Sequence, residues 1–278
     1  MQDYYAPYEE EGWKKRFEMT IPILLLILVL IVLAWKLGWL CSIPVIGDVA
    51  CGGTVSNILV VGDDANIRAS LDELKVGMPI NYEVMTEADI KGLRDPNYLR
   101  KYDLVILTES AGGARSDLPA LFRSYLSSYL ANNGKMIMFG LAGATDPAEP
   151  SANGWIQRGI GPYIPVTCKT MICSEASIRT ATADISALKP LDITNPMVQE
   201  FGMTIPVTGN TIEFADVNVD EGKPVLNLEV DYGPDNVRSY PALVDSTHGV
   251  SGKTIYFAYH PSRTPTIFKN AVKYALGK

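Results

Sequence analysis

An uninterrupted apolar run near the start of the chain constrains its fold more than any other feature. The segment from Met19 to Trp35 contains no charged side chain, and it extends to Leu40 if one lysine directs its amine to the membrane interface. A helix that crosses a bilayer core of about 30 Å needs about 20 residues. Trp35 and Trp39 suit the interface with the headgroups. We therefore predict a transmembrane helix over residues 19–40 rather than a buried core helix.

The orientation of this helix follows from the basic residues beside it. The apolar run is longer than the about 7–15 residues of a cleaved signal peptide, so we interpret it as an uncleaved signal anchor. Three basic residues at 14–16 precede the run, and after Lys36 no Lys or Arg occurs before Arg68. The positive-inside rule then places the tail 1–18 in the cytoplasm and residues 41–278 outside the cell membrane.

The four cysteines agree with that orientation. Cys41 and Cys51 flank one short loop, and Cys168 and Cys173 flank another. Because disulfides persist in oxidising compartments, we predict the pairs Cys41–Cys51 and Cys168–Cys173. The alternative is four reduced thiols in a cytosolic domain, which needs the opposite topology. A metal site is not predicted, because neither spacing is Cys-x-x-Cys and the two histidines lie far away in sequence.

The chain beyond the predicted span divides into a linker and one large domain. Residues 41–55 mix apolar residues with Gly and Pro, which is typical of a juxtamembrane linker. Residues 56–144 alternate continuous apolar strand patterns with helical ones, and residues 145–252 contain short strand candidates among Pro, Gly, Thr and Asp. A strand over 252–258 and a helix over 266–276 close the domain.

The order of these patterns predicts the fold class. Continuous apolar runs such as Asp103–Thr108 and Lys135–Phe139 are typical of strands buried on both faces. Strands of this kind separated by helices indicate βαβ units. We predict an α/β domain over residues 56–278, a three-layer, doubly wound, mainly parallel sheet with β-rich additions. The candidate strands of the additions are Ile164–Ile172, Ser177–Thr182, Thr211–Val217, Val225–Val230 and Ala242–Val244.

Composition and motifs exclude several classes of partner. The net charge of −7 and the pI of about 5.0 argue against nucleic-acid binding, which needs clustered Lys and Arg. The chain has no phosphate-binding loop, no Gly-x-Gly-x-x-Gly fingerprint and no His-Glu-x-x-His motif. No cofactor is therefore predicted.

Three segments resemble, in their order, the class I glutamine amidotransferase-like (flavodoxin-like) superfamily. YDLVILTESAGG at 102–113 resembles the family's glycine-rich oxyanion-hole strand, and KMIMFGLAGA at 135–144 resembles its nucleophile elbow. IYFAYHPS at 255–262 resembles the strand that ends in His-Pro-Glu. The resemblance covers most of 56–278 in element order and implies the same doubly wound frame.

The chain departs from that family at two of the three catalytic positions. Ala142 stands where the family has its nucleophilic Cys, and Ser262 stands where it has the Glu that orients the base. His260 and Pro261 match the family. A methyl group cannot attack a carbonyl, and a hydroxyl cannot offer the ionised acceptor that stabilises an imidazolium. The resemblance therefore implies a degenerate triad without glutamine hydrolysis.

Polar residues at the strand ends give weak candidates for a site. Ser110 and His260 are candidate catalytic residues, and Asp63, Ser110, Gly112, Gly143 and His260 are candidate ligand-binding residues. The structural alternative for Asp63, Asp64, Glu109 and Ser110 is turn chemistry and helix capping. For His260 it is a hydrogen bond to nearby backbone, and for His248 a place in a hairpin turn.

We predict a single-pass membrane protein whose amidotransferase-like domain lacks the catalytic nucleophile. The domain is expected to act as an accessory, scaffold or interaction subunit on the outer side of the membrane. Its expected partners are the bilayer, through residues 19–40, and other membrane-protein subunits. One alternative is a membrane-tethered hydrolase that uses His260 with Ser110 or an Asp. The other is a module that binds a sugar or peptide at the strand ends.

Overall fold

The computed structural model describes residues 24–26, 28–29, 55–108, 118–144, 154–156, 159–170 and 172–278. The strands are β1 (Ser56–Val61), β2 (Ile80–Met85), β3 (Leu104–Leu107), β4 (Lys135–Phe139), β5 (Val166–Cys168), β6 (Ile178–Thr182), β7 (Ser186–Pro190), β8 (Thr211–Ala215), β9 (Val217–Val219), β10 (Lys223–Asp231), β11 (Val237–His248) and β12 (Gly252–Phe257). The α-helices of residues 55–278 are α1 (Ala65–Gly77), α2 (Glu87–Gly92), α3 (Ala120–Ala131) and α4 (Pro265–Leu276).

One sheet organises the domain, and eight strands form it in the order β2-β1-β3-β4-β12-β11-β10-β7. The first five are mutually parallel, and β11, β10 and β7 extend the sheet by antiparallel pairing. The predicted mainly parallel α/β sheet with added antiparallel strands is confirmed. The chain leaves β1 for β2 on one side and then returns to β3 on the other. This reversal creates a crevice at the carboxyl ends of the strands.

Helices cover both faces of the parallel part. α3 contributes Phe122 and Leu126 to one apolar cluster, together with Met136 and Met138 of β4. On the opposite face Phe139 of β4 packs edge-to-face against Phe268 of α4. α1 lies beside α4, and an ion pair of 2.8 Å joins Lys269 of α4 to Glu73 of α1. These three layers bury β1, β3, β4 and β12 on both faces, which explains their continuous apolar sequences.

The β-rich additions differ from prediction in extent. The candidate strand at Ala242–Val244 is part of the longer β11, whose interior contains Pro241. A proline removes a ladder hydrogen bond, and the pairing of β11 with β10 shifts register between Leu226 and Asn227, the residue opposite Pro241. β7 was not predicted, because its sequence SALKP alternates weakly and fully buries only Leu188.

A second link joins the additions to the parallel sheet. β6 and β8 form a two-stranded sheet, and the end of β8 meets the chain just after β12. The Ala215 N–H donates to the Ala258 carbonyl at 2.7 Å, and Phe214 forms a bridge with Tyr259. The additions are thus hydrogen-bonded to the backbone that leads into His260.

The disulfide Cys168–Cys173 is confirmed. It ends β5 and closes a short loop, which is why the predicted strand Ile164–Ile172 was wrong in length and contracts to Val166–Cys168. The predicted pair Cys41–Cys51 lies outside the described residues.

The predicted transmembrane segment 19–40 lies almost entirely outside the described residues. Residues 24–26 and 28–29 are described, and they are helical with exposed side chains. Within the described part of the chain, no helix combines the length and apolar character that crossing a membrane requires.

A glycine at the end of β1 sets the turn into α1 and gives a first test. Gly62 has φ +103°, and a Cβ added there would lie 2.1 Å from the Thr108 Oγ1 atom. We expect Gly62→Ala to lower the free energy of unfolding by about 2 kcal/mol or more, since both the backbone and the contact are strained. Urea denaturation of the domain measures the change.

Gly92→Ala is the matched control, because an added Cβ there meets no described atom within 4 Å. We expect it to change the free energy of unfolding by about 1 kcal/mol or less. Equal unfolding midpoints for the two variants would contradict the assigned turn.

Candidate functional site at the strand carboxyl ends

Asp64 begins the site, because the turn after β1 directs its side chain inward. Its Oδ1 atom accepts hydrogen bonds from the backbone N–H groups of Asn66 at 2.8 Å and Ile67 at 3.1 Å. This is the pattern of a helix N-cap, so Asp64 caps α1 as the structural alternative predicted. The side chain is only 3% exposed. A buried carboxylate needs further partners for its second oxygen.

His260, which follows β12 at the far end of the parallel strands, supplies that partner. Its Nε2 atom lies 2.5 Å from Asp64 Oδ2. Its Nδ1 atom lies 2.7 Å from Ser262 Oγ and accepts the Ser262 backbone N–H at 3.3 Å. His260 thereby caps the short 3₁₀ helix Pro261–Arg263. Both ring nitrogens are engaged, which fixes the orientation of the imidazole.

The hydrogen bonds also determine the tautomer of the ring. Because Nδ1 accepts the Ser262 N–H, a neutral His260 carries its proton on Nε2. That proton is donated to Asp64 Oδ2. The Ser262 hydroxyl then donates to Nδ1, which leaves a continuous chain of hydrogen bonds from serine to carboxylate.

The chain of hydrogen bonds crosses the carboxyl edge of the sheet. Asp64 follows β1 and His260 follows β12, and β3 and β4 lie between these two strands. The His260 ring approaches Phe139 at the end of β4, with 6.2 Å between ring centroids. The pair thus closes over the strand ends where open α/β sheets bind ligands.

Burial and hydrogen bonding oppose one another at Asp64. Burial alone would raise the pKa of the Asp64 carboxyl, because it disfavours the charged form. The hydrogen bond of His260, its charge when the ring is protonated, and the N–H groups of Ile67 and Asn66 outweigh this effect and hold the pKa below its usual value of 3.8. Asp64 is therefore ionised at neutral pH.

The position that resembles the nucleophile elbow is closed. Ala142 is 1% exposed, and its carbonyl accepts the Trp155 Nε1–H at 3.0 Å. The turn around it uses Gly140 at φ +51° and Gly143 at φ +70°. A Cβ on Gly143 would lie 2.8 Å from a Leu118 methyl, so this glycine serves close packing.

The other predicted site residues do not gather around His260. Asp63 points to Arg68, with 3.1 Å between Oδ1 and Nη2, and its side chain is exposed. Ser110 and Gly112 lie outside the described residues. His248 ends β11 at the hairpin turn, where its Nε2 lies 3.3 Å from Thr254 Oγ1. Among the described residues, no group of three His, Cys, Asp or Glu side chains could hold a metal ion.

Sequence reasoning considered Asp64 as a capping residue and missed that it also contacts His260. The signal for the cap was local, a Gly-Asp-Asp turn between a buried strand and a helix. The contact with His260 spans 196 positions, so no local pattern indicates it.

No protein-family model matches the chain, and no curated protein matches it. Two solved β-galactosidases are similar to it. The enzyme from Rahnella sp. R3 has 12% identity and a TM-score of 0.51, over 84% of this chain and 33% of that chain. The enzyme from Bacillus circulans sp. alkalophilus has 12% identity and a TM-score of 0.50, over 80% of this chain and 30% of that chain.

These similarities show a shared α/β fold and nothing more, because the identities are low. The chain spans about a third of the length of each β-galactosidase. A glutamine amido transferase from Methylobacillus flagellatus is similar with 9% identity and a TM-score of 0.37, over 80% of this chain and 76% of that chain. A TM-score at that level carries no argument about the family.

The lowered pKa of Asp64 predicts acid sensitivity with a definite sign. A carboxyl whose pKa is lower in the folded chain stabilises it above the unfolded value, near 3.8, and loses that contribution as the pH falls through the folded pKa. We expect Asp64→Asn, which keeps a capping oxygen, to unfold more readily at pH 7 and to lose less stability between pH 5 and pH 2. Urea denaturation across this pH range measures both.

Asp63→Asn is the matched control, since Asp63 forms only an exposed ion pair with Arg68 among the described residues. Its stability should follow that of the unaltered chain over the whole range, because such pairs contribute little. Parallel pH curves for the unaltered chain and Asp64→Asn would show that the carboxylate is not stabilised by His260.

Proposed function

We propose that this chain is a single-pass membrane protein with an inactive amidotransferase-like domain, which acts as an accessory or interaction subunit on the outer side of the cell membrane. One observation carries the proposal: the residue at the nucleophile position is Ala142, a side chain 1% exposed and enclosed by packing. Glutamine hydrolysis of the family's type needs a thiolate that the substrate can reach.

The hydrogen bonds of His260 support the same proposal. In the family that the chain resembles, the histidine serves the cysteine at the elbow. Here the Nε2 atom of His260 binds the buried Asp64 carboxylate, and Nδ1 binds Ser262. The ring holds β1 and β12 together through two helix caps, which is a structural use of the residue.

Two further features support a place outside the membrane. The apolar segment 19–40 has the length and flanking charges of a signal anchor. The Cys168–Cys173 disulfide suits an oxidising compartment. An anchored domain without its nucleophile is suited to contacts with other membrane subunits.

A membrane-tethered hydrolase is the second candidate function, and one contact favours it. Asp64 lies 2.5 Å from His260, and a buried carboxylate that orients a histidine is the arrangement of a general base.

The accessory role predicts stable partners. Purification of the full chain from membranes in mild detergent should recover further subunits in constant ratio, as mass spectrometry identifies them. A chain lacking residues 1–40 is the control for capture through the anchor alone. A monomer without partners in both preparations would count strongly against the proposal.

The closed elbow predicts that restoring the nucleophile does not restore the activity. Ala142→Cys should release no ammonia from glutamine, because residue 142 is enclosed and the His260 ring is bound to Asp64. Ala142→Ser tests whether a larger side chain is tolerated there, with circular dichroism as the measure of folding. Glutamine hydrolysis by a folded Ala142→Cys chain would show that the frame is still catalytic.

A further inference from the structure

We propose that Ser262 is a serine nucleophile, activated by His260 and Asp64, that accepts acyl groups from carboxylic esters. The proposed accessory role does not depend on this inference. The inference extends the second candidate function, the membrane-tethered hydrolase, by naming its nucleophile. It rests on the hydrogen-bond chain Ser262–His260–Asp64 at the carboxyl edge of the sheet.

The three groups have the order and the contacts of a serine triad. Ser262 Oγ lies 2.7 Å from Nδ1 of His260, and Nε2 lies 2.5 Å from Asp64 Oδ2. In serine hydrolases the same chain runs through the opposite nitrogens, and such triads are recognised by geometry rather than by sequence position. Ser262 stands where the family that the chain resembles has its acidic residue, and in this hydrogen-bond chain it takes the position of the nucleophile.

The direction of each hydrogen bond suits proton transfer from the serine. The Ser262 backbone N–H also points to Nδ1, at 3.3 Å, and this direction suits the neutral tautomer in which Nδ1 has no proton. The hydroxyl of Ser262 therefore donates to the unprotonated nitrogen, which is what a general base requires. The Nε2–H group donates its hydrogen bond to the Asp64 carboxylate. The other oxygen of that carboxylate is held by two backbone N–H groups.

The carboxylate is the most buried of the three groups. Ser262 is partly exposed, the His260 side chain is 31% exposed and the Asp64 side chain is 3% exposed. A buried carboxylate stabilises an imidazolium more than an exposed one does, because water screens it less. The backbone beside the serine is also held, since Thr208 Oγ1 donates to the Ser262 carbonyl at 3.0 Å.

The proposed reaction balances without a cofactor. Ser262 Oγ forms a bond to the ester carbonyl carbon while its proton moves to His260 Nδ1. The tetrahedral adduct then expels the alcohol, which takes the proton from Nδ1, and an acyl-serine remains. Water repeats the two steps, releases the carboxylic acid and restores the serine. Throughout the reaction, Nε2 keeps its proton and donates a hydrogen bond to Asp64, whose charge stabilises the transient imidazolium.

A fluorophosphonate probe tests the inference, because it phosphonylates serines that a general base activates. The full chain in detergent is incubated with the probe, and mass spectrometry maps the modified residue. We expect the label on Ser262 and none on the Ser262→Ala chain. Asp64→Asn keeps the helix cap but loses the charge, so labelling should slow by about a hundredfold or more. Hydrolysis of p-nitrophenyl acetate should fall in parallel.

Ser186→Ala is the matched control, since Ser186 is also partly exposed and donates its hydroxyl to the Thr182 carbonyl. Its labelling should equal that of the unaltered chain. A His260-dependent label on another residue, such as Ser110, would overturn the inference and leave the hydrolase candidate standing. The absence of any label would overturn both the Ser262 inference and the hydrolase candidate, and it would leave the accessory role intact. Labelling that is unchanged in Asp64→Asn would also overturn the relay.

Discussion

The central constraint on this domain is that four of its parallel strands are buried on both faces over most of their length. β1, β3, β4 and β12 lie between α3 on one side and α1 and α4 on the other, and every residue of β3 is buried. Polar side chains cannot sit within such strands unless they are paired. The chemistry of the chain is therefore confined to the strand ends, and there the turn after β1 and the turn after β12 meet.

The same constraint explains which parts of the fold can be predicted from sequence. β3 and β4 are continuous apolar runs, so their sequences indicate strands buried on both faces. β7 and β11 lie in the antiparallel extension, where burial follows no regular alternation and each strand contains a proline. β7 pairs with β10, and β11 pairs with β10 and β12. These are tertiary contacts, and local sequence contains little information about them.

The site is divided in the same way. The cap that Asp64 provides for α1 is a local arrangement of Asp64, Asn66 and Ile67, and turn chemistry predicts it. The contact between Asp64 and His260 depends on the order of strands in the sheet and on the packing of α1 beside α4. In the sequence Ser262 is only a departure from the pattern of the family that the chain resembles, whereas in the structure its hydroxyl lies 2.7 Å from His260 Nδ1.

The hydrogen bond between Ala215 and Ala258 gives the β-rich additions a direct influence on this edge. β8 pairs with the chain two residues before His260, so the two-stranded sheet β6–β8 helps to hold the backbone that positions the imidazole ring. The additions are the part of the domain that does not belong to the parallel frame. Their outer surface is connected to the strand ends through this hydrogen bond and through Thr208, whose hydroxyl donates to the Ser262 and Arg263 carbonyls.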